Sequence, residues 1–382
     1  MLRLWLSTDR RENSAQLLRE ITARAKAGQR RMVLLVPEQF SHETERRLCA
    51  AGGDAISLHA EVLTFSRLAS RVFAERGGVA ETETDGGGKL LMMALAVEQV
   101  RSRLKIFGAS AARAEFLLQL LDMLEEFRSF CVTADQLRRA AAGLTGTLAV
   151  KTEEFALLME SYDAVCAQIG QNPQSRLTRL LNALEDCDDL SDREFWIDGF
   201  TDFNGVERNI LAQLLNGGAG LTVALLCDGL HGHAQQYAAA RETAAALCAI
   251  AAQQQIPVET RQLPPCEETS ALARLRAGLF GGAMHPWDAP QDAVAFLSSG
   301  GRTEECRTVA GEILKLVEQG ARWRDIAVAC TDYAAYRPML ESILKRAEIP
   351  AYFAGDRDIL QERMIDALLT ALNAAAGGME TE

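Results

Sequence analysis

The chain has 382 residues, 48% of them hydrophobic and 24% charged, values of an ordinary globular protein that exclude disorder as its main state. Its length exceeds one ordinary core and predicts two or three domains. A net charge of −12 excludes a protein that coats nucleic acid through bulk positive charge, but not a local DNA site.

The chain opens as strand, loop and helix. Residues 2–6 are a short apolar run, residues 7–13 are polar, and Leu17, Leu18 and Ile21 recur at helical spacing. A buried strand is predicted at 32–36, bounded by Pro37. Short apolar strands alternating with helices predict an α/β fold with a parallel sheet covered on both faces. From about 79 to 190 no strand signal appears. Phe116, Leu117, Leu120, Leu121, Leu124 and Phe127 form one helical stripe, and Phe155, Leu158, Met159, Tyr162, Val165, Cys166 and Ile169 form another. Residues 86–88 and 143–147 read as loops. Strand signals return at 195–197 and 221–226, so the helical block reads as an insertion into an α/β domain that resumes near residue 193.

Pro264, Pro265, Pro286 and Pro290 mark the stretch 263–290 as a connector. Beyond it we expect a strand at 294–297, a helix at 304–319, a strand at 326–330, a helix carrying Met339, Ile343 and Leu344, an extended piece at Tyr352 and Phe353, and a helix at 365–376. This pattern predicts the start of a second α/β unit with too few strands to be complete, hence a fragment of something longer. The expected organisation is a first core in two parts, 1–78 and 192–285, a helical insertion at 79–191, and a second core beginning at 286–382.

Apolar runs far shorter than a membrane span predict no membrane segment. The N-terminus lacks the pattern of a secretory signal, which predicts the cytoplasm. The nine Cys are scattered, with no C-x-x-C pair, and read as buried or free thiols, not disulfides.

Several loops carry candidate chemistry. A phosphate-binding loop wraps its ligand with glycine N–H groups and a Lys. Here residues 7–14 read STDRRENS, with no glycine, no Lys before Ser14, and Asp9 and Glu12 to repel phosphate. A structural loop is predicted. After the second strand, residues 36–41 read VPEQFS and bring amide, hydroxyl and aromatic groups to a sheet edge where such folds bind ligands. Residues 62–70, VLTFSRLAS, offer Phe65 to stack on a base and Arg67 to pair a phosphate or base edge. By residue type alone, Phe65 in the core with Arg67 solvated is the weightier reading. Asp198 directly follows a strand, where an acid commonly holds a metal–nucleotide complex. Its neighbour is Gly199 and not a second acid, and Asp202 lies further on. Cys227, Asp228, His231 and His233 match no zinc spacing and read as loop residues. No catalytic triad stands out among five His.

Taken together, VPEQFSHETERRL, VLTFSRLASRVFAERGG, LEEFRSFCVT and FWIDGFTDF resemble, in order and spacing, the AddB (RexB-type) subunits of bacterial AddAB helicase–nucleases. Residues 323–369 are similar to the opening of the second motor-like domain in UvrD-type and AddB proteins. The resemblance runs over essentially the whole chain and covers the N-terminal part of such a subunit. It implies RecA-like (P-loop NTPase-type) cores with a helical insertion, and a role beside an AddA-like helicase–nuclease subunit in processing DNA double-strand ends for recombinational repair. The parent complex is an ATP-dependent helicase and exonuclease. The motor-like part of AddB serves as a scaffold that holds single-stranded DNA and scans it for Chi.

By the resemblance, the DNA-contacting positions fall on Gln39, Ser41, Phe65, Arg67 and Phe200, and a further one, often aromatic, on Ser70. The phosphate-loop Lys and hydroxyl positions fall on Asn13 and Ser14, and the motor's acidic pair on Asp198 and Gly199. The position of an expected Arg after the 326–330 segment falls on Thr331. No catalytic residue, metal or cofactor is expected in this segment. The nuclease metal and a complete iron–sulfur cluster are expected only with the family's C-terminal region. The basic residues Arg19, Arg24, Lys26, Arg30, Arg31, Arg67 and Arg71 are expected to flank the DNA edge. Competing readings are an active ATP-dependent helicase core and a structural platform for an AddA-like partner without DNA contacts.

Overall fold

A computed structural model describes residues 1–77, 84–110, 113–172, 174–185, 187, 189–263, 270–278, 287, 289–355 and 362–376. The boundaries expected at 78/79 and 285/286, and most of the proline-marked connector, lie outside these residues. The described chain divides into two compact units, Met1–Trp287 and Asp288–Glu382.

The first unit is α/β. Its strands are β1 (Leu2–Ser7), β2 (Met32–Leu35), β3 (Ala60–Leu63), β4 (Glu194–Ile197), β5 (Gly220–Leu226) and β6 (Val258–Gln262). They form one sheet in the order β3-β2-β4-β5-β1-β6, and every pairing is parallel. The strand period of two sorts each strand's side chains between two cores. Leu2, Leu4, Leu6, Val33, Leu35, Phe195, Ile197, Leu221, Val223 and Leu225 enter the core on one face. Trp5, Met32, Leu34, Trp196 and Ala224 enter the core on the other. Both faces are apolar, which is why these strands read as continuous hydrophobic runs.

On the second face lie α1 (Arg10–Lys26) and α2 (Ser41–Gly52). On the first lie α3 (Phe65–Arg76) and helices from later in the chain. The intervening block holds α4 (Gly86–Val100), α5 (Ala114–Ser129), α6 (Ala134–Ala142), α7 (Gly146–Ile169) and α8 (Arg176–Glu185). The first four share their own core around Met93, Leu121, Leu124, Leu158 and Tyr162. Helix α8 leaves that core, and its Leu180, Leu181 and Leu184 pack on the sheet. Residues 86–88, expected in a loop, instead form the first turn of α4, where Asp85 caps the Gly88 N–H at 2.7 Å.

After β4 come α9 (Gly205–Asn216), α10 (Ala238–Gln253) and α11 (Ala271–Gly278). Asn204 and Glu207 form a capping box at the start of α9. A Cβ on Gly205 would lie 2.8 Å from Phe130 Cα and 3.1 Å from the Ser129 carbonyl. The helical block therefore meets α9 at a point where only glycine fits.

The second unit contains α12 (Arg302–Glu318), α13 (Tyr333–Arg346) and α14 (Arg363–Ala376). Ala310, Ile313, Leu344 and Ile349 form its small core. The strands expected at 294–297 and 326–330 are not formed, and no strand occurs among its described residues. Both segments lack a ladder partner, and Phe296 and Val328 are exposed. An apolar run becomes a strand only beside another strand.

Candidate nucleic-acid interface

Parallel strands deliver their following loops to one edge of the sheet. The residues expected at Asn13, Ser14, Gln39, Ser41, Phe65, Arg67, Asp198 and Phe200 all lie in the segments that follow β1, β2, β3 and β4 at their C-terminal ends.

The corner after β1 is held from within. The Asp9 side chain caps α1 and accepts from the backbone N–H groups of Arg11 (2.9 Å) and Glu12 (3.4 Å). Asn13 is buried, and its Nδ2 donates to the Leu225 carbonyl at 3.0 Å. The Ser14 hydroxyl donates to Asp198 Oδ2 at 2.5 Å. Burial pushes the Asp198 carboxyl above its ordinary range, against the lowering effects of the Ser14 hydrogen bond and of the Arg10 and Arg47 charges.

The adjoining loops form a polar and aromatic surface. Gln39 is exposed in a short 3₁₀ turn, Glu38–Phe40, after β2. Arg67 is exposed on the first turn of α3, and its Nη1 donates to the Ser41 hydroxyl at 3.1 Å. This bond joins the β2 and β3 loops. Phe200 is partly exposed and rests on buried aromatic neighbours, with its centroid 5.6 Å from Phe65 and 5.1 Å from Phe203.

Phe65 itself is 6% exposed and belongs to the core with Leu68, Ala69, Val72 and Phe73. Its ring supports Phe200 from below and presents no free face to a base. The helical spacing of those five residues, i, i+3, i+4, i+7 and i+8, is the signal that it faces inward.

The expected cations divide between the two edges. Helix α1 runs away from the β1 corner, so its last turn reaches the opposite edge. There Arg24 pairs with Glu194 at 2.7 Å, and Arg31 pairs with Asp192. Arg71 pairs with Glu61 at 3.0 Å. Of that set Arg67 lies at the loop edge and Arg19 pairs with Glu12 on the first turn of α1; Arg10 and Arg47, which no sequence motif singles out, are charges that lower the Asp198 pKa. Ser70 accepts from Arg176 Nη2 at 2.5 Å. Beside it a cleft of about 520 Å³ opens, lined among others by Ser66, Lys89, Arg128, Tyr162, Arg176 and Arg179.

Elsewhere, Asp228 is engaged by Arg241 at 2.6 Å and by the Ala234 N–H at 3.1 Å. Among the described residues no cluster of three metal-capable side chains occurs. Nor is any helix among them long and apolar enough to cross a membrane.

The family described as ADDB, N-terminal, matches residues 9–276. The chain belongs to this AddB family. A relative in Desulforudis audaxviator is 30% identical over 356 residues, covering 89% of this chain and 30% of the relative. One in Pelotomaculum thermopropionicum is 30% identical over 359 residues, covering 90% and 31%. One in Geobacillus thermodenitrificans is 29% identical over 359 residues, again covering 90% and 31%. All three are named as the B-type subunit of an ATP-dependent helicase/deoxyribonuclease. This AddB-type chain spans less than a third of their length.

Proposed function

We propose that this AddB-type segment is a DNA-binding scaffold that grips single-stranded DNA at the C-terminal edge of its sheet and does not hydrolyse ATP. In the cytoplasm it would work beside an AddA-like helicase–nuclease subunit, processing DNA ends for recombinational repair and scanning the strand for Chi. The observation that carries the reading is the convergence of Gln39, Ser41, Arg67 and Phe200 on one edge, with Arg67 hydrogen-bonded to Ser41. Phe200 offers a π-face on a rigid aromatic base, and stacking of a nucleobase is worth about 1–3 kcal/mol. Arg67 supplies a charge-assisted donor for a phosphate or a purine edge. Gln39 and Ser41 donate and accept at base edges.

The β1 corner supports the absence of a nucleotide from this scheme. The N–H groups that open α1 are already engaged by the Asp9 carboxylate, and a phosphate there would displace an anion already in place. No Lys stands beside Ser14, whose hydroxyl is committed to Asp198. These residues do not fit a magnesium–nucleotide complex, so no step is routed through one.

Titration of fluorescently labelled single-stranded DNA tests the reading. The Arg67→Ala, Phe200→Ala double variant is expected to bind at least about tenfold more weakly. It should also show a shallower salt dependence, by about 0.7 in the log–log slope for one lost phosphate contact. Unchanged affinity would favour the platform without DNA contacts. Calorimetric titration with Mg–ATP is expected to give no binding heat, and micromolar binding would return the chain to the active motors.

A further inference from the structure

Arg10 is the first residue of α1, and its guanidinium carbon lies 4.3 Å from the centroid of the Phe40 ring. Phe40 is the residue between Gln39 and Ser41. On its other side Arg10 faces the start of the β4–α9 loop. A Cβ on Gly199 would lie 3.2 Å from Arg10 Nη2, 3.2 Å from Pro37 Cδ and 3.4 Å from Phe40 Cδ2. Gly199 also has φ +85°, a conformation that side chains other than glycine's rarely adopt. Three loops, those after β1, β2 and β4, therefore meet at one guanidinium, and the meeting requires a residue with no side chain at 199.

We propose that Arg10 is a positioning residue for the Gln39–Ser41 loop: by stacking on Phe40 while its other side abuts Gly199, it ties that loop to the end of β4. The proposal rests on the DNA-scaffold reading and explains a feature that the reading leaves open. An acid beside Asp198, as a hydrolysing motor has, would collide with the Arg10–Phe40 stack. A side chain at 199 and the stack are thus mutually exclusive in the corner. The Arg10 charge also opposes, as one of the smaller effects, the burial that raises the Asp198 carboxyl. The planar face of the guanidinium is what Phe40 needs, and a Lys would supply only the charge.

The test is a double-variant cycle of Arg10→Ala and Phe40→Leu in the 382-residue chain, read by DNA titration at several salt concentrations and by amide hydrogen exchange. Each single variant is expected to weaken binding about two- to fivefold, the scale of one cation–π contact. The double variant should be no weaker than either single, because both remove the same contact. The salt slope should stay that of the wild type, since Arg10 touches no phosphate. The amide of residue 40, which in Phe40 donates to the Pro37 carbonyl at 2.9 Å, should exchange faster in both, after correction for the intrinsic rate of the residue there. Additive losses, or a slope reduced by about 0.7 in Arg10→Ala, would make Arg10 a direct DNA contact and overturn the proposal. Full affinity in Arg10→Ala would overturn it as well. If the wild-type chain binds no single strand, the scaffold reading is what has failed. The exchange arm then decides alone: unchanged exchange at Phe40 in Arg10→Ala refutes the positioning role.

Discussion

Strand β4 carries a carboxylate at each end, and the two live under opposite regimes. At its start Glu194 is buried and held by Arg3 at 2.6 Å, Arg24 at 2.7 Å and Gln29 at 2.5 Å. Just past its end the half-buried Asp198 accepts the Ser14 hydroxyl at 2.5 Å. The first arrangement satisfies a buried charge with donors from three separate segments and leaves nothing for a ligand. The second leaves a partly satisfied acid at the edge where the loops open. A buried acid surrounded by its own counter-charges marks architecture, whereas a less fully paired acid at the strand-end edge marks a candidate functional position.

The contrast can be broken by substitution, with effects of decreasing size. Phe65→Ala removes a core ring beneath the loop edge and is expected to cost about 3–5 kcal/mol in urea unfolding. Phe200→Ala, on the exposed side of the same cluster, should cost less than half of that while losing more DNA affinity. Equal stability losses would show that the cluster has no outer face. Glu194→Ala strands two arginines at the closed edge and is expected to cost about 3 kcal/mol.

Ser14→Ala should cost only about 1 kcal/mol, and in a carboxyl-detected NMR titration it should move Asp198 still higher, because the hydroxyl bond favours the ionised form. Asp198→Asn sharpens the comparison further. A carboxyl whose folded pKa is raised binds more protons in the folded state, so its ionisation lowers stability as the pH rises from the ordinary carboxylate range through the folded value. The Asn variant is therefore expected to be more stable than the wild type at neutral pH and to lose that advantage as the pH falls into the ordinary carboxylate range. An advantage that persists in acid would point to a cause other than charge.

Four of the six strands are legible as apolar runs because both faces of a parallel sheet are buried. Strand β6 is not, since VETRQ is polar and exposed throughout and is a strand only because β1 lies beside it. Strand β3 is four residues long and leads straight into the α3 motif, which masks it. The expected strands at 294–297 and 326–330 show the converse error, hydrophobicity without a partner. At the loop edge, the residue types of Gln39, Ser41, Arg67 and Phe200 can be read from sequence, and so can the missing glycines and Lys near Ser14. Arg10 cannot be singled out there, because its role depends on Phe40 and Gly199 arriving from other strands. The basic residues of α1 mislead because a helix of 17 residues spans the sheet and carries its last turn to the far edge.

The bare contact at Gly205 has a mechanical consequence. The loop bearing Phe200 ends there, and the helical block rests its Phe130 backbone on the same spot. A single methyl group at 205 would act as a shim, pressing the start of α9 against the Ser129–Phe130 backbone. Clearance between the two cores is thus set at one hydrogen-sized notch at position 205.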